Sequence, residues 1–198
     1  EILRCLVGSE MCIRDRIKEH SDSFDVTVED ESPIYGEVAV QGPKAEEAVE
    51  KLLGLPVADL KFYTFKTIET EGETIIVSRT GYTGEDGFEI YGSPEYTQRV
   101  WDKLMAGGVE PCGLGCRDTL RFEVGLPLYG DELSADITPL EASLSMFVKL
   151  DKPEFIGKEA LAAQKAEGVK RRIVGLELDG NAIPRHGYPV EVDLSLIH

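Results

Sequence analysis

Residues 73–91 leave this chain few local options. They read ETIIVSR, then TGYTGEDG, then FEIY, so two apolar runs flank a polar turn that holds Gly81, Gly84 and Gly87 at a spacing of three. Gly72 precedes the first run and Gly92 follows the second. The pattern predicts a β-hairpin whose connection needs unusual backbone angles. Beyond the turn the side chains alternate, Phe88 and Ile90 to one face and Glu89 and Tyr91 to the other. If Phe88 and Ile90 face a core, Glu89 is fixed on the opposite face of a rigid strand. It then stands beside a connection slender enough for backbone or ligand to come close. A carboxylate there can accept hydrogen bonds from a bound group, or simply be a solvated strand residue. The tract is no phosphate loop: it lacks a Lys-Ser/Thr end, and Glu85 and Asp86 repel phosphate.

The wider composition narrows the partners. The 198 residues carry 37 acidic and 21 basic side chains, a net charge of −16. That balance argues against a nucleic-acid or anionic-membrane surface. A hydrophobic content of 42% is enough for a sizeable core. No apolar run approaches the roughly 18 residues of a membrane span. The four cysteines fall in two local pairs, Cys5 with Cys12 and Cys112 with Cys116. This is no secreted disulfide framework, and a reducing cytoplasm is the expected compartment. Cys112 and Cys116 have no second Cys/His cluster to complete a metal's ligands, so no metal site is expected.

Along the chain, Val26 with Val28 and Val38 with Val40 alternate with polar residues and predict two strands around Ser32-Pro33. Pro43 opens a helix that Gly54 closes, with Ala45, Ala48, Val49, Leu52 and Leu53 as its apolar stripe. Residues 61–70 and 73–79 should pair as strands about the Glu71-Gly72 turn. Ser93 caps a helix that begins at Pro94 and stops at Gly107-Gly108, with Tyr96, Val100, Trp101 and Leu104 on one face. A third helix is expected over 114–124, then an irregular passage over 125–142, then a helix over 157–167. After Gly168, Val174, Leu176 and Leu178 predict a new strand. The fold class is therefore α+β, mainly antiparallel sheet with packed helices, followed by the start of a C-terminal β-barrel-like domain.

The segment 78–90, SRTGYTGEDGFEI, resembles the signature of the glycine cleavage T-protein family, the aminomethyltransferases. Further stretches agree in the same order: VQGP at 40–43, GLGCRDTLR at 113–121, LPLYG at 126–130, TPLEA at 138–142 and IPRHG at 183–187. The resemblance runs over about residues 17–192. It implies a folate-binding portion over 17–168 and the start of the C-terminal β domain over 169–192. Residues 1–16 and 193–198 resemble translated adapter sequence and are expected to be a non-native leader and tail.

The resemblance also implies roles. Glu89 is expected to hold the pterin of tetrahydrofolate, whose ring N–H and exocyclic amine lie side by side for a carboxylate. Arg117 is expected to take a carboxylate of the glutamyl tail, since an arginine fork suits that group. Asp118 and Arg121, three apart, can pair within the helix and leave Arg117 freer. Tyr82 at the hairpin tip is expected against the folate ring, or else as a lid on the core. Arg79 and Asp86 are expected to hold the turn, and His186 to be structural.

The family reaction moves a one-carbon unit from the aminomethyl group on lipoylated H-protein to tetrahydrofolate, with release of ammonia. The family's catalytic aspartate lies in an N-terminal part, and no aspartate in 17–40 has its context. No catalytic residue is therefore assigned in this chain, and no turnover is expected of it alone. The same module ends dimethylglycine and sarcosine dehydrogenases and occurs in a related demethylase. A non-catalytic folate-binding relative supports iron–sulphur assembly, but it carries a cysteine in the tract corresponding to Phe155-Ile156-Gly157-Lys158-Glu159, where this chain has none.

Overall fold

A computed structural model describes residues 13–181, 183, 187–192 and 195–197. Cys5, Cys12 and His186 lie outside the described residues. The chain divides into two compact units, 1–138 and 139–198.

The first unit is built on a four-stranded antiparallel sheet in the order β1-β4-β3-β2. Its strands are β1 (Gly36–Gln41), β2 (Phe65–Thr70), β3 (Glu73–Ser78) and β4 (Gly87–Gly92). β3 and β4 form the expected hairpin, with Val77 opposite Ile90 and Ser78 opposite Glu89. Glu71 and Gly72, both at positive φ (51° and 86°), make the tight β2–β3 turn. β1 lies along the other edge of β4, pairing Val40 with Phe88 and Ala39 with Glu89.

One sheet face is buried. Ile75, Val77, Phe88 and Ile90 join Val40 in a core completed by the helices. The first of these, α2 (Ala45–Ala48), runs on through a π-helical turn (Val49–Leu53) and ends at Gly54 in the left-handed conformation. Its expected stripe faces the core: Ala45 and Val49 are buried, and Ala48, Leu52 and Leu53 pack against them. α3 (Pro94–Ala106) starts at Ser93, whose hydroxyl accepts from the Tyr96 N–H at 3.1 Å. That hydroxyl donates to Glu73 at 3.0 Å, and the Ser93 N–H donates to the same carboxylate at 2.9 Å, tying the helix to β3. The register partners Gly36 and Gly92 let α3 lie close to the sheet. A Cβ on them would stand 2.3 Å from Thr97 Oγ1 and 2.8 Å from the Tyr96 ring.

Several expectations are corrected. The alternation at Val26 and Val28 makes no strand, because no neighbouring strand among the described residues takes up its N–H and C=O groups. The β2 strand begins at Phe65, since residues 61–64 form a turn with Tyr63 at φ 59°. Trp101 is 41% exposed, and Thr97 takes its place beside Tyr96, Val100 and Leu104 on the buried face. The core also draws Leu55, Val57 and Leu60 from the loop after Gly54, which no periodicity marked. Residues 13–19, the first four of them within the stretch expected to be a leader, form helix α1. α4 (Leu114–Glu123) lies where expected, and an irregular passage with one isolated bridge, Tyr129 to Leu133, follows it.

In the second unit, α5 (Lys158–Glu167) ends at Gly168 as expected. Val174, Leu176 and Leu178 are exposed and outside any strand, with no partner strand beside them among the described residues. Among the described residues the β structure there is the antiparallel pair β5 (Val190–Val192) and β6 (Ser195–Ile197). Glu141 anchors the segment before it: its carboxylate takes the Arg171 guanidinium at 2.8 Å, and its carbonyl accepts from the Ile173 N–H at 3.1 Å.

Candidate functional site

The glycine-rich connection is built around a side chain. Gln41, the last residue of β1, places its amide under the turn, donating to the carbonyls of Thr80 (3.2 Å) and Phe88 (3.4 Å). It accepts from the Thr83 hydroxyl at 3.4 Å. A Cβ on Gly81 or Gly87 would lie 1.8 or 2.2 Å from Gln41 Oε1. Of the three turn glycines only Gly84 has a positive φ (75°), so Gly81 and Gly87 serve space rather than unusual backbone angles. Gly84 in turn meets Val124, just past α4, where a Cβ would stand 2.5 Å from a methyl group. The glycines thus close the hairpin tip onto β1 and α4.

Arg79 and Asp86 hold the two ends of this turn together, as expected. Their fork-to-fork contact is 2.9 and 2.6 Å, and Arg79 also donates to the Leu60 carbonyl at 3.0 Å and meets Glu46 at 2.7 Å. The guanidinium holds the Asp86 carboxyl below its ordinary pKa.

Glu89 stands on the sheet face opposite the core, flanked by a row of hydroxyls. The Ser78 and Thr80 hydroxyls are 2.7 Å apart, and Thr80 donates to Glu89 Oε2. The Tyr91 hydroxyl reaches the same oxygen at 3.4 Å. Desolvation, with Glu37 and Glu89 nearby, pushes the Tyr91 hydroxyl up to about 12, so it stays a donor. Glu89 Oε1 accepts from no donor among the described residues. The carboxylate is held by one oxygen and presents the other. The hydrogen-bonding Thr80 and Ser78 were not singled out from the sequence, although the register that sets Ser78 opposite Glu89 follows from the hairpin alternation.

Tyr82 and Arg117 meet. The Arg117 guanidinium carbon lies 4.8 Å from the centroid of the Tyr82 ring, and the Tyr82 hydroxyl donates to the Pro127 carbonyl. Burial raises the Tyr82 hydroxyl's pKa, against the pull of Arg121 and Arg117. Arg117 is exposed and pairs with no carboxylate among the described residues. Arg121 is the opposite case. It is buried and gives its fork to Asp118 (2.8 Å) and Glu132 (2.5 Å), with a further bond to the Leu126 carbonyl at 3.2 Å. Glu132 also accepts from the Leu128 N–H at 2.9 Å, so Arg121 fixes the irregular passage that receives the Tyr82 hydroxyl. No hydrogen bond joins Glu89 to Tyr82 or Arg117 among the described residues. The hairpin carries Glu89 and Tyr82, and α4 brings Arg117 to the tip.

A cleft of about 440 Å³ in the first unit lies elsewhere, between Gln41, Lys44, Ala48, Leu52 and the 107–110 turn. It contains none of the three expected site residues. Among the described residues no group of three or more His, Cys, Asp or Glu could hold a metal ion, and no helix is long and apolar enough to cross a membrane.

Known proteins with this pattern agree with one another. The chain is 52% identical over 184 residues to an aminomethyltransferase of Lysinibacillus sphaericus, covering 90% of this chain and 50% of that protein. It is 54% identical over 175 residues to an aminomethyltransferase of Caldanaerobacter subterraneus, covering 86% and 47%. The crystal structure of glycine cleavage system aminomethyltransferase T from Bartonella henselae superposes with a TM-score of 0.71 at 29% identity, over 81% of this chain and 44% of that one. The chain spans about half the length of the curated relatives it matches. The family model described as the GCVT N-terminal domain matches residues 7–152, which begins inside the stretch expected to be a leader and takes in the sheet, the hairpin and α4. With its antiparallel sheet, packed helices and this match over most of its length, the chain belongs to the GCVT aminomethyltransferase family.

Proposed function

We propose that this chain is the folate-holding portion of an aminomethyltransferase of the glycine cleavage system, acting in the cytoplasm with lipoylated H-protein as partner. The observation that carries this reading is the state of Glu89: one oxygen is fixed by Thr80 and the other is open, on a strand backed by the core. An acid anchored in this way is suited to a ligand edge with two adjacent donors, and a pterin has such an edge. Oε1 takes one pterin donor, and Oε2 takes the second by giving up its long contact with the Tyr91 hydroxyl.

Arg117 extends the site at the hairpin tip. Its fork has no competing carboxylate among the described residues, and stacking on Tyr82 limits its motion, so it is suited to a carboxylate of the glutamyl tail. Tyr82 is committed through its hydroxyl to Pro127, so its contribution is the ring face, which orients Arg117. When bound, tetrahydrofolate supplies the nitrogen that accepts the one-carbon unit from the aminomethyl group carried by H-protein, with release of ammonia. These residues bind and orient, and no catalytic group is assigned among them. We place the folate-binding portion within 17–168.

Isothermal titration of the chain with tetrahydrofolate tests this reading. Glu89→Ala is expected to lower affinity at least about tenfold, the scale of a lost hydrogen bond to a charged group. Unchanged affinity, with thermal unfolding also unchanged, would remove Glu89 from the site.

A further inference from the structure

Glu89 does not stand alone on its face of the sheet. Ser78, the last residue of β3, is buried and lies directly opposite Glu89 in the strand register. Its hydroxyl is 2.7 Å from the Thr80 hydroxyl, which donates to Glu89 Oε2. Each hydroxyl has one proton to give, and a carboxylate only accepts. Thr80 spends its proton on Glu89, so in its contact with Ser78 it is Ser78 that donates. The hydrogen bonds therefore run in one direction, from Ser78 to Thr80 to Glu89.

The backbone that carries Thr80 is pinned on both sides. Tyr63, at φ 59°, donates its N–H to the Arg79 carbonyl at 3.0 Å, and the Arg79 N–H donates to the Thr64 carbonyl at 2.9 Å. The Gln41 amide holds the Thr80 carbonyl itself at 3.2 Å. With its backbone fixed and its χ1 restricted by β-branching, Thr80 has little freedom to turn its hydroxyl elsewhere.

We infer, on the reading of Glu89 as the pterin-holding acid, that Ser78 and Thr80 are positioning residues of the folate site. Ser78 orients the Thr80 proton, and Thr80 locks the Glu89 carboxylate in the one rotamer that leaves Oε1 to the ligand. Both act through Glu89 rather than on the ligand. A carboxylate already held in its bound orientation loses less freedom on binding, and affinity is higher for it.

Titration of the full chain and its variants with tetrahydrofolate tests this. Thr80→Val removes the hydroxyl at nearly constant shape and should weaken binding about fivefold, and Ser78→Ala about threefold, the scale of a neutral hydrogen bond. Thr80→Ser keeps the hydroxyl and should bind within about twofold of the unaltered chain. Because Ser78 acts through Thr80, the double variant Ser78→Ala/Thr80→Val should bind as Thr80→Val alone does. A second readout needs no ligand: three-bond scalar couplings of isotope-labelled Glu89, measured by NMR, report its side-chain rotamers. One rotamer is expected in the unaltered chain and in Thr80→Ser, and rotamer averaging in Ser78→Ala and Thr80→Val. If the chain binds no tetrahydrofolate while the couplings change in this way, the folate reading fails and the positioning of Glu89 stands. A single Glu89 rotamer kept in both Ser78→Ala and Thr80→Val would overturn the assignment whatever the affinities. So would additive losses in the double variant, or unchanged affinity in both single variants of a chain that binds.

Discussion

The guanidinium of Arg117 rests over the ring of Tyr82, 4.8 Å from its centroid, while the hydroxyl of the same tyrosine is bonded to the Pro127 carbonyl. The ring is thereby fixed from its far end, and the arginine that lies on it is the only one on α4 without a carboxylate among the described residues. Ring and fork form one unit contributed by the hairpin and the helix.

Arg117→Lys separates charge from shape. It keeps the positive charge but loses the fork and most of the stacking, so tetrahydrofolate affinity should fall by about tenfold. Tyr82→Phe keeps the ring and should leave that affinity within about twofold, while costing about 1 kcal/mol of stability through the unpaired Pro127 carbonyl. Titration calorimetry and denaturant unfolding read the two effects apart.

Gly87 and Gln41 should behave as one structural element. Gly87→Ala drives a methyl group into the Gln41 amide, 2.2 Å away, and should cost about 1–3 kcal/mol by overpacking. Gln41→Ala alone should cost about 1 kcal/mol, from the Thr80 and Phe88 carbonyls it leaves. In the double variant the methyl group occupies the vacated space, so the combined loss should be smaller than the sum by about 1 kcal/mol. Strict additivity in urea unfolding would show that Gly87 is needed for another reason.

Tyr91 gives the fold an alkaline limit. Its hydroxyl is raised in the folded state from 10.0 to about 12, so the native protein holds this proton over a range in which the unfolded chain has lost it. The stabilisation is complete below pH 10.0 and is lost as pH rises through about 12. Tyr91→Phe should therefore flatten the decline of stability with pH in that window, measured by denaturant unfolding at stepped pH. An unchanged slope would show that Tyr91 ionises as readily in the folded protein as in the unfolded one.

Much of the hairpin and its flanking helices is legible in the sequence. The alternation past Gly87 placed Phe88 and Ile90 inward and Glu89 outward, because a strand's side-chain period is fixed by its backbone. The Ser93 cap, the Gly54 stop, the Arg79–Asp86 clasp and the Asp118–Arg121 pair also follow from residues within one turn of chain or across one hairpin connection. Local chemistry is enough to decide such contacts. The strands expected at Val26–Val28 and at Val174, Leu176 and Leu178 show the limit, since a period of two says which face a residue would take but not whether a partner strand is there.

What the sequence determined by itself is the family, the hairpin, and the outward placement of Glu89. Only tertiary structure decided what surrounds them. Gln41 lies 39 residues from Thr80, and Tyr82 lies 45 from Pro127, so no local pattern could announce that the turn glycines make room for an amide or that the tyrosine's hydroxyl is already spent. The open oxygen of Glu89 and the uncommitted fork of Arg117 are likewise properties of neighbours. They exist because Thr80 takes one side of the carboxylate and because Asp118 and Glu132 both turn to Arg121.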